Sequence, residues 1–242
     1  MAGMKYLRGT AAAFAAALLL GAAMTASAKE ADVRFETLST YSSEFRGFEA
    51  KIVTPVVTGL AVSAVQNELN DSFMQRARKL TADYENDVGE MMKDDPEFQG
   101  HMGVVLDYKV RTDNGKVLAV DLYEMNIAGS SSTVHSFYNF DKRSGKLIEL
   151  GELFNGKADY TKVINNYIIG EMRRRNKKEK GIFWIAPQDE QGFRSIKPKQ
   201  NFFINDKGNI VICFDKYEVA PGAAGSPEFE LPRKVVGPYL AK

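Results

Sequence analysis

The chain has 242 residues, enough for one large domain or two small ones, and its 32 Lys+Arg stand against 31 Asp+Glu. That near-balance excludes the basic surfaces of nucleic-acid and polybasic membrane binders. An apolar share of 44% with 15 Phe and 10 Tyr excludes global disorder, and a single cysteine, Cys213, excludes an internal disulfide and any multi-cysteine metal site.

Residues 1–28 read as an export signal. Lys5 and Arg8 make a basic start, Ala11 to Met24 is almost wholly apolar, and Ala26-Ser27-Ala28 offers a cleavage site. The apolar run is shorter than the roughly 18–20 residues a membrane span needs. An uncleaved anchor is the competing reading. No cysteine lies near the cleavage site, which excludes a bacterial lipoprotein. The expected mature chain starts near Lys29, outside the cytoplasm (periplasm or secreted), with no stable membrane insertion. Losing Lys5 and Arg8 leaves 30 basic side chains against 31 acidic, a net charge of −1.

Residues 33–40 and 44–53 alternate as short strands, and Pro55 and Gly59 mark a break after them. Val62, Val65, Leu69, Phe73, Ala77, Leu80, Tyr84 and Val88 are spaced by three or four, the apolar face of a long amphipathic helix. Residues 91–101 read as a polar connection in which Pro96 ends any helix. Asp113-Asn114-Gly115 is a strong hairpin turn between strands at 104–112 and 116–127. Gly129 to Ser132 reads as a flexible link, followed by strands at 133–140 and 146–150. Asp159 is placed to cap a second helix carrying Tyr160, Val163, Ile164, Tyr167, Ile168 and Met172 on one face.

Arg173-Arg174-Arg175 and Lys177-Lys178 end that helix, where cations suit its dipole; they read as a solvated end, with anionic-polymer binding as the alternative. Residues 202–204 and 210–214 form a last hairpin. It delivers a proline- and glycine-rich arm running from Asp215 through Tyr217, Pro221, Gly222, Gly225 and Pro227 to Phe229. The pattern predicts α+β: antiparallel sheets each packed by an amphipathic helix, in two small subdomains, 29–128 and 129–242.

Chemistry is sparsely signalled. Neither phosphate-binding glycine fingerprint is present, nor H-E-x-x-H, G-x-S-x-G or S-x-x-K. His101 and His135 lack a second ligand at useful spacing, and His135 reads first as a hydrogen-bonded strand residue, with base or metal ligand as the alternative. Cys213, in an apolar strand, reads as a buried core residue. Carboxylates are the only route to an enzyme; Asp107, Asp121, Glu124, Asp215 and Glu218 sit on strands and strand ends as glycosidase candidates, with surface charge as the default explanation.

Two motifs resemble a known family. His135, Asn139-Phe140-Asp141, Ser144-Gly145-Lys146, Leu150 and Leu153-Phe154 look like the centre of the RsiV-like extracytoplasmic domain. The run 217–229, Tyr-Glu-Val-Ala-Pro-Gly-Ala-Ala-Gly-Ser-Pro-Glu-Phe, looks like its closing motif. The strands and long helix through Asn70 are similar to the companion segment that precedes it. The family takes its name from a lysozyme-sensing anti-sigma factor, and similar domains precede some peptidoglycan deacetylases. The resemblance implies an α+β fold and a protein-binding role. It departs from those members in showing no cytoplasmic anti-sigma segment, transmembrane helix or deacetylase domain, which leaves the ligand-binding module as the expectation.

The function expected is therefore an exported, non-enzymatic ligand-binding module for a lysozyme-like or other cell-envelope protein. The alternatives are a peptidoglycan- or carbohydrate-binding accessory, with Trp184 and the tyrosines stacking on sugars, and a cell-wall hydrolase. His135, Tyr217, Glu218, Pro221 and Phe229 are the expected ligand-binding residues. No catalytic residue, metal, cofactor or nucleic-acid partner is expected.

Overall fold

The computed structural model of the protein describes residues 31–157, 159–179 and 181–241. The export signal expected at residues 1–28 lies outside the described residues. Among the described residues nine strands form two sheets: β1(Arg34–Phe45), β2(Phe48–Thr58), β3(Met102–Asp113), β4(Val117–Ala128), β5(Ser130–Asp141) and β6(Lys146–Leu147) in one, and β7(Phe202–Ile204), β8(Ile210–Cys213) and β9(Glu228–Glu230) in the other. The long helices are α1(Ser63–Asp94) and α2(Tyr160–Lys178). The fold is α+β. Among the described residues, no helix is long and apolar enough to cross a membrane.

In the large sheet the spatial order is the sequence order, and all pairs but one are antiparallel. The exception corrects the expectation of purely antiparallel sheets: β2 and β3 run parallel over Phe48–Ile52 and Met102–Leu106. A parallel neighbour needs a crossover, and α1 supplies it. Strand β2 also continues through Pro55, where a break was expected. Pro55 lies beyond the stretch that β3 pairs and opposite an irregularity in β1 at Thr37/Ser39, so its missing N–H is tolerated there.

The helical stripe packs as its spacing predicts. Phe73, Ala77 and Tyr84 are buried against Phe48, Ala50 and Ile52 of β2, Val104 and Leu106 of β3, and Leu118, Val120 and Leu122 of β4. Val62 departs from the stripe, standing at the N-cap and half exposed. Asn70 pins the helix to β2: its carbonyl accepts from the Val57 amide at 2.8 Å and its amide donates to the Val57 carbonyl at 2.9 Å. At the other end α1 runs on to Asp94, through part of the stretch read as a connection, and stops two residues before Pro96.

The small sheet is buried on both faces. Phe202, Ile204, Ile210 and Ile212 meet Ile164, Ile168 and Met172 of α2. Phe203, Val211 and Cys213 face the large sheet at Ala119 and Phe137. Strand β8 is consequently an uninterrupted apolar run, as strands covered on both sides are. The α2 cap forms as expected, with the Asp159 side chain accepting from the Lys162 amide.

The expected link at 129–132 is strand. Only Gly129, at φ 71°, separates β4 from β5, and the two pair from Ala128↔Ser130 to Val117↔Asp141. The large sheet therefore runs across the expected boundary. The two main cores separate further on, one drawing its buried residues from 33 to 140 and the other from 150 to 236.

Candidate functional site

The site is built where β3, β4 and β5 meet the closing arm. His135 and Asn139 stand four residues apart on β5, so both point to the same face, towards the small sheet. Two amides connect β5 to β7. Buried Asn139 donates to the Phe202 carbonyl and accepts from the Ile204 amide, both at 2.9 Å. Asn201 donates to the His135 carbonyl at 2.8 Å and accepts from the Phe137 amide at 3.4 Å. Each side chain occupies the place of a peptide group, which satisfies buried backbone atoms at a junction where the two sheets cannot pair directly.

Between those amides lies a chain of ionisable and hydroxyl groups. Nδ1 of His135 is 2.8 Å from Oδ1 of Asp121, and Nε2 is 3.0 Å from Oγ of Ser226 in the closing arm. The Asp121 side chain is only 3% exposed and that of His135 16%. With a carboxylate on Nδ1, the neutral ring carries its proton there and presents Nε2 as an acceptor for the Ser226 hydroxyl. Arg111 closes the network, its Nη1 at 3.5 Å from Asp121 and its Nη2 donating to both Glu228 oxygens at 2.7 and 2.9 Å. It owes its reach to a β-bulge: the β3–β4 register slips between Val110 and Thr112, leaving Arg111 as the extra residue. Its guanidinium lies 4.3 Å over the Phe203 ring.

A second group holds the root of the arm. The His135 amide donates to Asp215 at 2.8 Å, the Asp215 amide donates to Glu218 at 2.9 Å, and Lys197 pairs with Glu218 at 2.6 Å. Burial pushes the Asp215 carboxyl above its ordinary range and the nearby Glu218 charge adds to that, while the His135 amide opposes it.

Beyond this root, Tyr217 sits at φ 70°, a left-handed conformation that a bulky side chain rarely adopts. The residue is 47% exposed. Gly222 lies directly beneath: a Cβ there would fall 2.3 Å from the ring carbon and hydroxyl of Tyr217. Lys216 stands 5.3 Å from the same ring and is itself held by the Ser131 carbonyl at 2.6 Å.

Alongside the arm runs a groove of about 960 Å³, with Arg174, Arg175 and Lys178 on the α2 side and Pro221, Ser226 and Glu228 on the other. Arg174 and Arg175 share Glu171, whose carboxyl is held well below its usual range, to about 2, first by the Arg174 hydrogen bonds. Arg175 also lies 4.6 Å over the Phe229 ring. The basic end of α2 is thus partly a packed wall and not only a solvated terminus.

The predicted ligand-binding residues fall into three classes. Tyr217 and Pro221 are exposed on the arm. His135 and Glu218 are mostly enclosed and hold the arm from below. Phe229 must be withdrawn as a surface residue: it is fully buried, packed on Phe183 and Phe214. Ser226, Arg111, Lys197 and Glu228 escaped sequence reasoning because their partners lie many residues away. The Gly225-Ser226-Pro227 turn was the local hint. Cys213 is buried, and burial pushes its thiol up, away from reactivity. Among the described residues no three His, Cys, Asp or Glu side chains are grouped to hold a metal.

Residues 151–234 match the family described as "Protein of unknown function (DUF3298)". The anti-sigma-V factor RsiV of Bacillus subtilis (strain 168) is 30% identical over 190 residues, which is 78% of this chain and 64% of RsiV, so the chain spans less than two thirds of that relative. Two solved structures share the fold at 14% identity, each over 88% of this chain and 96% of its own. A DUF3298 member from Bacteroides fragilis NCTC 9343 superposes with a TM-score of 0.62, and one from Pseudomonas aeruginosa PAO1 with 0.53. The closing arm with Ser226 falls within residues 151–234 that match the DUF3298 family, whereas its partners Asp121 and His135 precede that match, and the chain as a whole resembles the RsiV-like domain family.

Proposed function

We propose that the chain is an exported recognition module that binds a protein of the cell envelope through its closing arm. The observation that supports this best is Tyr217. A tyrosine in a strained backbone conformation, nearly half exposed, seated on Gly222 and flanked by an anchored lysine, is an aromatic group ordered before any partner arrives. Preordered aromatic anchors lose little entropy on association and dominate interface energetics. Pro221 stiffens the same surface.

A lysozyme-like protein is the first candidate, in keeping with the resemblance to the lysozyme-sensing family. The experiment is calorimetric titration of the exported, purified full chain with lysozyme, followed by the Tyr217→Ala variant. Binding that weakens at least about tenfold on losing the ring supports the reading. Absence of a complex at tens of micromolar removes lysozyme as the partner.

The groove favours one second reading. Arg174, Arg175 and Lys178 line it, and peptidoglycan stems carry carboxylates, so retention of the purified chain on protein-free sacculi, lost in Lys178→Glu, would identify a wall-binding accessory instead.

A further inference from the structure

We propose that Asp121, His135 and Ser226 form a hydrolytic triad that cleaves carboxylic esters bearing an anionic group. This goes beyond the recognition reading, which rests on Tyr217 and stands or falls separately. The geometry has the polarity that the chemistry needs. Asp121 accepts from Nδ1 at 2.8 Å, and Nε2 faces the Ser226 hydroxyl at 3.0 Å. A nucleophile, a base within hydrogen-bond reach and a third group orienting the base define the arrangement, whatever the fold or chain order. The acid is 3% exposed, so the imidazolium formed during attack would face a desolvated carboxylate.

Ser226 stands at the end of the triad that meets the groove, which it lines. It follows Gly225, at φ 67°, and precedes Pro227, which has no N–H to donate. Across the groove, Lys178 together with Arg174 and Arg175, which share Glu171, outnumber Glu179 and Glu228 in the lining, a balance that favours an anionic substrate.

Other contacts share the attachment of the arm with this chain of groups. Neutral amides from Asn139 and Asn201 already tie β5 to the small sheet, and Arg111–Glu228 and Asp215–His135 hold the arm nearby. A buried carboxylate–imidazole pair is a costly latch where amides serve the same purpose.

In the reaction, Ser226 Oγ bonds to the substrate carbonyl carbon while its proton passes to His135 Nε2. The imidazolium returns that proton to the alkoxide as the ester C–O bond breaks, and the alcohol leaves. Water, deprotonated by the same nitrogen, attacks the acyl–serine; the acid departs and the Ser226 hydroxyl is restored.

The test uses the exported full chain and a fluorophosphonate probe, which forms an O–P bond to an activated serine with loss of fluoride. Intact mass should show one adduct, mapped to Ser226. It should be absent from Ser226→Ala and form at least about 100-fold more slowly in His135→Gln and Asp121→Asn. Thermal melts should show Ser226→Ala still folding cooperatively. Hydrolysis of a p-nitrophenyl ester with a terminal carboxylate should exceed that of its neutral counterpart by about tenfold in kcat/KM, and Lys178→Glu should erase that preference. A folded wild-type chain left unlabelled at millimolar probe, or labelling that persists in Ser226→Ala, overturns the triad. A preference for the neutral ester overturns the substrate class.

Discussion

Arg111 and Glu228, 117 positions apart, meet between the two sheets as an ion pair in which Nη2 reaches both carboxylate oxygens, at 2.7 and 2.9 Å. The contact exists because a bulge in β3 turns Arg111 towards the small sheet, where its guanidinium also covers Phe203 and approaches Asp121. One side chain thereby joins sheet packing to the candidate site.

Replacing Arg111 by leucine should destabilise the protein by about 2 kcal/mol, because Asp121 and Glu228 both lose their countercharge in partly desolvated surroundings. Urea denaturation measures this. A double-mutant cycle with Glu228→Gln should return a coupling of roughly 1 kcal/mol; additive losses would mean that the pair is incidental.

Asn139→Ala should cost about 2–3 kcal/mol, since it leaves the Phe202 carbonyl and the Ile204 amide without their partner in a buried junction. Hydrogen exchange should show the Ile204 amide losing protection well before the amides of β4. Unchanged protection would show that another group replaces the side chain.

Tyr217→Asn should leave stability within about 0.5 kcal/mol of wild type, because asparagine tolerates the left-handed conformation and the lost ring is half solvated. Gly222→Ala should lower stability by about 1 kcal/mol or more, as its methyl group occupies the space under that ring. Combining the two should recover most of the loss, a rescue that chemical denaturation can read directly.

Glu171 predicts a pH dependence. Its folded-state value is lowered from the ordinary 4.5 to about 2, so its contribution is complete above pH 4.5 and disappears as the pH falls towards 2. Glu171→Gln should lose stability at pH 7 by no more than about 1 kcal/mol, given the solvent around Arg174, and should differ little from wild type near pH 2. Denaturation midpoints for both proteins across that range provide the measurement.

Local signals in the chain determined most of the elements. The three- and four-residue spacing from Val65 to Val88 places α1, Asn114-Gly115 places the β3–β4 hairpin, and Asp159 starts α2, because periodicity, turn geometry and capping each involve only near neighbours. The closing motif was recognisable, and Tyr217 was legible as an exposed feature of it.

Tertiary structure decided what those near neighbours cannot encode. The parallel β2–β3 pair depends on where α1 lands, and the continuation of β2 through Pro55 depends on β3 ending its pairing at Ile52. Gly129 to Ser132 resembles a linker in composition, yet its serines are strand because β4 offers a full edge to pair with. Phe229 is apolar whether it faces a partner or the core; only the packing of Phe183 and Phe214 assigns it to the core. The Asp121–His135–Ser226 chain draws on β4, β5 and the arm, brought together by sheet pairing and by the docking of one sheet on the other. Hydrogen bonds need approach within about 3 Å, which separation along the chain does not specify.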